Sequence, residues 1–180
     1  YLDKLYERGV RYMTLTWNNS TTWATSAADE TTKKDSLPHK GLTDFGKQVV
    51  KRMNELGMII DVSHVGEQTF WDAISITTKP VIASHSCAWS LCPHRRNLKD
   101  DQIKAIGKNG GVIHLNFYAG FIDSTYEKKI KGFLQHHQAE VDSLIRLKTQ
   151  PDYAQMLVAE LHKDEVKGFR PALSVLLDHL

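Results

Sequence analysis

The residues best placed to do chemistry are two histidines, His64 and His85, each closing a short apolar run: MIIDVSH at residues 58–64 and PVIASHS at residues 80–86. Neutral imidazole suits zinc, and a hydrolytic zinc site keeps one position open for water. If the two runs are neighbouring parallel strands, the rings project over one rim from backbones about 5 Å apart, close enough to share an ion. The plainer reading is that each histidine only hydrogen-bonds at its strand end, and the pairing sets the metal reading beside it. Asp61 lies inside the first run. It can orient a ligand through a hydrogen bond or tie down backbone amides, and the sequence leaves both open. In the loop that follows His85, CAWSLCPHRRN at residues 87–97, the tandem Arg95 and Arg96 can clamp a carboxylate, which guanidinium matches bidentately. The alternative is an arginine that braces its own loop by bonding carbonyls. His94, His114, His136, His137, His162 and His179 have no comparable partners in the pattern and read as surface or core residues.

Four elements must hold these groups. Residues 10–17 (VRYMTLTW), 58–64, 80–86 and 111–117 (GVIHLNF) are aliphatic or β-branched on both faces and predict buried parallel strands. Between them the pattern turns helical. Residues 42–56 start at Thr43, a good N-cap, and stop before Gly57. Residues 67–77 follow, then 100–108, capped by Asn97 or Asp100 and closed by Asn109, Gly110 and Gly111. Strands alternating with helices predict right-handed βαβ units, an α/β fold in which functional side chains gather at the C-terminal strand ends. The Thr/Ser-rich stretch 18–34 reads as a long loop. From residue 126 onward the chain is polar and helical in period, with Pro151 and Pro171 as helix starts or interruptions. Leu173, Leu176, Leu177 and Leu180 predict a core-facing stripe. Residues 1–180 thus read as a single domain with a helical excursion at about 126–170, whose fold continues past this chain.

Composition excludes other classes. A hydrophobic share of 41% is ordinary for a globular chain, and a net charge of +2, with basic and acidic residues interleaved, gives no nucleic-acid footprint. No apolar run approaches the ~20 residues that span a bilayer. The charged start carries no signal-like segment, and without an initial Met the chain reads as a piece of something longer. Cys87 and Cys92 make neither a disulfide framework nor a metal spacing, so the compartment stays open.

The blocks GVRYMTLTWNN (9–19), GLTDFGKQVVKRMNELGMIIDVSHVGEQTFWD (41–72) and PVIASHSCAWSLCPHRRNLKDDQIKAIGKNGGVIHLNFYAGF (80–121) resemble the membrane (renal) dipeptidase family in order and spacing. The stretch 169–180 is similar to the helix that leads into the next strand of that family. The resemblance implies a (β/α)8 TIM-type barrel, of which this chain supplies about four strands with their helices. It implies two zinc ions bridged by a glutamate and a water or hydroxide. It implies hydrolysis of dipeptides, often with a D-residue at the C-terminal position, and of β-lactams by some members. His64 and His85 match the two histidines of one zinc ion, so one incomplete metal site falls within this chain. Arg96 matches the arginine that binds the substrate carboxylate, with Asn97 beside it.

The family's His-x-Asp and bridging glutamate match positions upstream of Tyr1, and its late aspartate matches a position beyond Leu180. No catalytic residue is therefore assignable here, and the segment alone is expected to be inactive. One position departs from the pattern. The family often ends TLT with a substrate-contacting histidine, where this chain has Trp17. Indole only donates, so Trp17 is expected either to line the substrate pocket or to pack as core beneath the 18–34 loop. The implied partner is a dipeptide, and a homodimer is compatible with it. The rival readings are a catalytically impaired barrel that only binds, and a related amidohydrolase acting on non-peptide amides or lactones.

Overall fold

The computed structural model describes residues Tyr1–Leu180, which gather into two compact units, Tyr1–Asn116 and Phe117–Leu180. The first runs α1 (Leu2–Glu7), β1 (Tyr12–Thr14), α2 (Ala27–Thr32), α3 (Asp44–Leu56), β2 (Ile59–Asp61), α4 (Glu67–Ile76), β3 (Ile82–Ala83), α5 (Asp100–Asn109) and β4 (Val112–Ile113). The strands form one parallel sheet in the order β1-β2-β3-β4, with Thr14 paired to Asp61 and Asp61 to Ile82. This is the α/β alternation that the sequence predicts.

The ladder is shorter than the apolar runs, and the reason bears on the site. Past β3, the Ser84 and His85 N–H groups donate to side chains, Asp61 Oδ1 at 3.0 Å and Ser63 Oγ at 3.0 Å. Side chains of the neighbouring strand thus replace ladder carbonyls at the strand ends. The strands are also not buried on both faces. Val50, Met53, Ile60, Phe70, Ala73, Val81 and Ile106 lie in the core between sheet and helices, while Tyr12, Ile59 and Val112 remain exposed.

Local signals set the helix ends. Thr43 Oγ1 accepts the Gly46 N–H at 3.2 Å to start α3, and Gly57 ends it at φ 74°, a left-handed conformation that glycine adopts without Cβ strain. α5 is capped differently from the expectation. Asn97 turns its amide into its own loop, and Gln102 Oε1 accepts the Lys99 N–H at 2.9 Å. The 18–34 stretch is not wholly loop, because Ser26 caps α2 by accepting the Asp29 N–H.

The second unit holds α6 (Ala119–Ile122), α7 (Tyr126–His136), α8 (Gln138–Arg146), α9 (Pro151–Leu161), α10 (Lys163–Val166) and α11 (Leu173–Leu177). Pro151 is the first residue of α9, where its missing N–H costs nothing. Its core is small: Phe133, Val141, Ala154 and Val158. The expected leucine stripe is not a core face. Only Leu176 is buried: Leu173 and Leu177 lie on α11 but stay exposed, and α11 ends before Leu180. No helix is long and apolar enough to cross a membrane.

Candidate active site

The ends of β1, β2 and β3 converge on one rim. His64 and His85 stand on neighbouring strand ends with ring centroids 4.9 Å apart and planes at 62°. Trp17 follows β1, and its ring centroid lies 6.5 Å from that of His64. It is 68% exposed, so it is not packed as core.

Asp61 organises the rim from beneath. It is fully buried and accepts four hydrogen bonds: Thr14 Oγ1 at 2.6 Å, Ser84 Oγ at 2.6 Å, and the Ser63 and Ser84 N–H groups at 3.0 Å. It ties down backbone amides, one of the roles left open for it, and its path to a histidine ring runs through Ser84. Ser84 Oγ lies 2.6 Å from His85 Nδ1. A hydroxyl has one proton, and here it goes to Asp61, so His85 must carry its proton on Nδ1 and donate it to Ser84 Oγ. That leaves His85 Nε2 with its lone pair toward the rim. Sequence reasoning passed over Ser84; its place immediately before a strand-end histidine was the available signal.

His64 is held in a rarer way. Its φ is 68°, in the left-handed region, and its carbonyl accepts the Ala27 N–H at 2.8 Å. Its Nδ1 is buried with no hydrogen-bond partner. A buried ring nitrogen without a partner is costly unless something completes it. Burial, then the nearby Arg96 charge and His85, pulls the His64 imidazole down to about 4. Burial and Arg96 also lower His85. Both rings are therefore neutral at neutral pH, the form that ligates a metal. Two neutral imidazoles on neighbouring strand ends, one with an orphaned nitrogen and one bonded from behind, are a donor set of the kind that could take a metal ion.

A cavity of about 520 Å³ opens beside His64, lined among others by Glu30, Trp89, Arg95, Arg96 and Lys99. That size suits a small-molecule site, commonly roughly 300–1,000 Å³. Arg96 is buried while its neighbour Arg95 is exposed. Burial pulls the Arg96 guanidinium down to about 10, still cationic at neutral pH. Asn97 also lines the cavity, but its amide braces the loop: Oδ1 accepts the Cys87 N–H at 3.1 Å and Nδ2 donates to the Cys92 carbonyl at 2.9 Å. Cys87 and Cys92 are both buried, and burial pushes the Cys87 thiol up.

The family model for membrane dipeptidase (peptidase family M19) matches residues 1–145. The chain belongs to the membrane dipeptidase family. An uncharacterised dipeptidase of Schizosaccharomyces pombe is 45% identical over 121 residues, 67% of this chain and 28% of that protein. A metallopeptidase of Rhodobacter sphaeroides, solved with a phosphinate mimic of the dipeptide L-Ala-D-Ala, superposes with a TM-score of 0.60 at 28% identity. That match covers 68% of this chain and 34% of the other. A probable dipeptidase of Pseudomonas aeruginosa shares the fold over 99% of this chain and 48% of its own, with a TM-score of 0.68 at 24% identity. The chain thus spans less than half the length of each of these three proteins. Its matched residues include the whole rim, from Trp17 to Asn97.

Proposed function

We propose that this chain supplies a metal-binding rim of a zinc-dependent dipeptidase, built as a (β/α)8 barrel of which these four strands are a central segment and which the helical unit interrupts as an excursion. The exposed sheet face at Tyr12, Ile59 and Val112 supports the barrel, since closure would cover it. The observation that carries the reading is the meeting of His64 and His85 on adjacent strand ends, 4.9 Å apart by centroid.

In this reading His64 and His85 ligate one zinc ion. Zinc bound to neutral imidazoles supplies Lewis acidity and activates water for hydrolysis. The chain's own residues do the rest of the positioning. Asp61 and Ser84 fix the His85 tautomer. The buried Arg96 cation holds the C-terminal carboxylate of a dipeptide, and Asn97 keeps the Arg96 loop in place. Trp17 stands at the mouth and offers one indole N–H to a substrate carbonyl. The ligand of the Rhodobacter relative makes dipeptides ending in a D-residue the first to try.

The test is made on the full-length protein. Zinc content and turnover of dipeptides, tripeptides and lactones are measured for the native enzyme and for His64→Ala and His85→Ala. The expected result is zinc-dependent cleavage of dipeptides only, lost in both variants. Equal cleavage of tripeptides would remove the carboxylate clamp from the reading. Undiminished zinc content and turnover in both variants would remove the metal assignment.

A further inference from the structure

The helical unit carries a second group of imidazoles and carboxylates that the site above does not use. His137 sits between α7 and α8, and His162 between α9 and α10. Each begins an H-x-x-E run, HQAE to Glu140 and HKDE to Glu165, so each histidine meets the carboxylate three residues on. The two runs also face each other. The imidazoles lie with centroids 3.9 Å apart and planes tilted at 38°, and each carboxylate touches both rings. Glu140 lies 2.7 Å from His137 Nδ1 and 2.9 Å from His162 Nε2. Glu165 lies 3.3 Å from His137 Nε2 and 3.2 Å from His162 Nδ1.

We propose that His137, His162 and Glu165 bind a divalent transition-metal ion, with zinc as the representative, while Glu140 orients both imidazoles from the opposite side. The two sets of distances differ in kind. Those to Glu140 are normal for charge-assisted hydrogen bonds, about 2.7–2.9 Å. Those to Glu165 are longer and run from a different oxygen to each ring, Oε2 to His137 and Oε1 to His162, the looser spacing of groups that can close on an ion with bonds of about 2.0–2.1 Å. His137, His162 and Glu165 each offer one ligand atom, all within 4.8 Å of one another.

Chemistry gives the same answer. If Glu140 accepts an N–H from each ring, the nitrogens facing Glu165 present lone pairs to a carboxylate. Two imidazole lone pairs and a carboxylate within 4.8 Å of one another call for positive charge between them. Two extra protons would supply it, but they would make two imidazolium rings in near contact. One divalent ion satisfies all three atoms at once, and the carboxylate behind the histidines is the usual partner of such ligands. Glu140 and Glu165 are about half exposed, so an ion can enter from solvent, whereas the His137 ring is buried against Phe133. The ion would pin the α7–α8 junction to the α9–α10 junction in a unit whose buried core is four apolar side chains. Small cores gain most from such a staple.

The proposal stands apart from the dipeptidase reading, and its test keeps the two separate. The chain carrying His64→Ala and His85→Ala is stripped with chelator, then titrated with Zn2+ by calorimetry and with Co2+ by visible absorption. The expected result is one equivalent of zinc, a melting temperature that rises with zinc, and the intense absorption of tetrahedral cobalt. Adding His162→Gln or Glu165→Gln should abolish that equivalent. Glu140→Gln should keep it but weaken it by roughly 10–100-fold. If His162→Gln fails to fold, the half-exposed Glu165→Gln decides. No zinc uptake in the His64/His85 background, or uptake unaltered by Glu165→Gln, would mean that protons alone hold these four side chains together.

Discussion

Removing the Ser84 hydroxyl isolates the contribution of the line from Asp61 to His85. In Ser84→Ala the His85 Nδ1–H loses its acceptor at 2.6 Å and Asp61 loses one of its four donors, also at 2.6 Å. A hydrogen bond to a charged group contributes about 1.5–3 kcal/mol, and Asp61 keeps three others, so the fold should survive. The larger effect falls on His85, whose tautomer and ring orientation are no longer fixed. Loss of such a partner behind a metal-ligating histidine costs about 10–100-fold in affinity, or about 1.4–2.7 kcal/mol. Zinc affinity of the full-length protein is measured by competition with a chromophoric chelator. In parallel, nitrogen NMR of metal-free protein reads which His85 nitrogen carries the proton. The expected result is Nδ1–H in the native protein, a tautomer mixture in Ser84→Ala, and recovery of both affinity and tautomer in Ser84→Thr. If Ser84→Ala binds zinc as tightly as the native protein and His85 stays protonated on Nδ1, the line from Asp61 does not set this ligand.

Arg96→Ala should raise KM for dipeptides by roughly 10- to 150-fold, the equivalent of a charge-assisted contact of about 1.5–3 kcal/mol. Arg95→Ala should change it little, and steady-state kinetics that reverse this order would exchange their roles. Trp17→His should widen the range of dipeptides accepted more than it raises the rate on the best one, read from kcat/KM across a side-chain series. A rescue from no activity at all would instead identify the native chain as a binding protein. Asp29 is drawn down to about 2, first by its bond to Lys33 and then by the Ser20 N–H. Because its folded value lies below its unfolded one, the stability it lends is complete above about 3.8 and is lost as pH falls toward 2. Hydrogen exchange in residues 18–34 should therefore quicken over that window, and Asp29→Asn should already be quick at its top.

The α/β order and the rim were legible because parallel strands and strand-end histidines leave local marks. MIIDVSH and PVIASHS carry both the strand and the histidine at its end in seven residues each. Strand length was not legible, since it depends on where Asp61 and Ser63 side chains take over backbone N–H groups. Asp61 could be named as a candidate orienter, but only the structure shows Ser84 standing between it and His85. The pairing of His137 with His162 was missed for a related reason. Each H-x-x-E run is visible alone, but their meeting is a contact between residues far apart in the chain. Leu173, Leu177 and Leu180 show the opposite error, a helical spacing that buries only Leu176.

The 18–34 stretch looked like inert polar loop, and its hydroxyls explain how His64 is held. A left-handed residue other than glycine is uncommon, and a strained one costs on the order of 1–3 kcal/mol. Here both sides of the turn are fastened to the same segment. The His64 carbonyl takes the Ala27 N–H, and two residues on the Gly66 N–H donates to the Thr25 carbonyl, each at 2.8 Å. Thr25 is itself fixed: its N–H donates to Thr69 Oγ1 at 3.0 Å, its hydroxyl donates to Glu30 at 2.5 Å, and that hydroxyl accepts the Gly41 N–H at 2.8 Å. Thr25, Ser26 and Thr69 are fully buried. Apolar side chains at these positions would bury as much area but leave those backbone groups unsatisfied. The Thr/Ser composition thus supports the backbone turn that aims His64 at His85. The segment is a brace for the rim of strand ends that carries His64 and His85, and Trp17 stands where that brace begins.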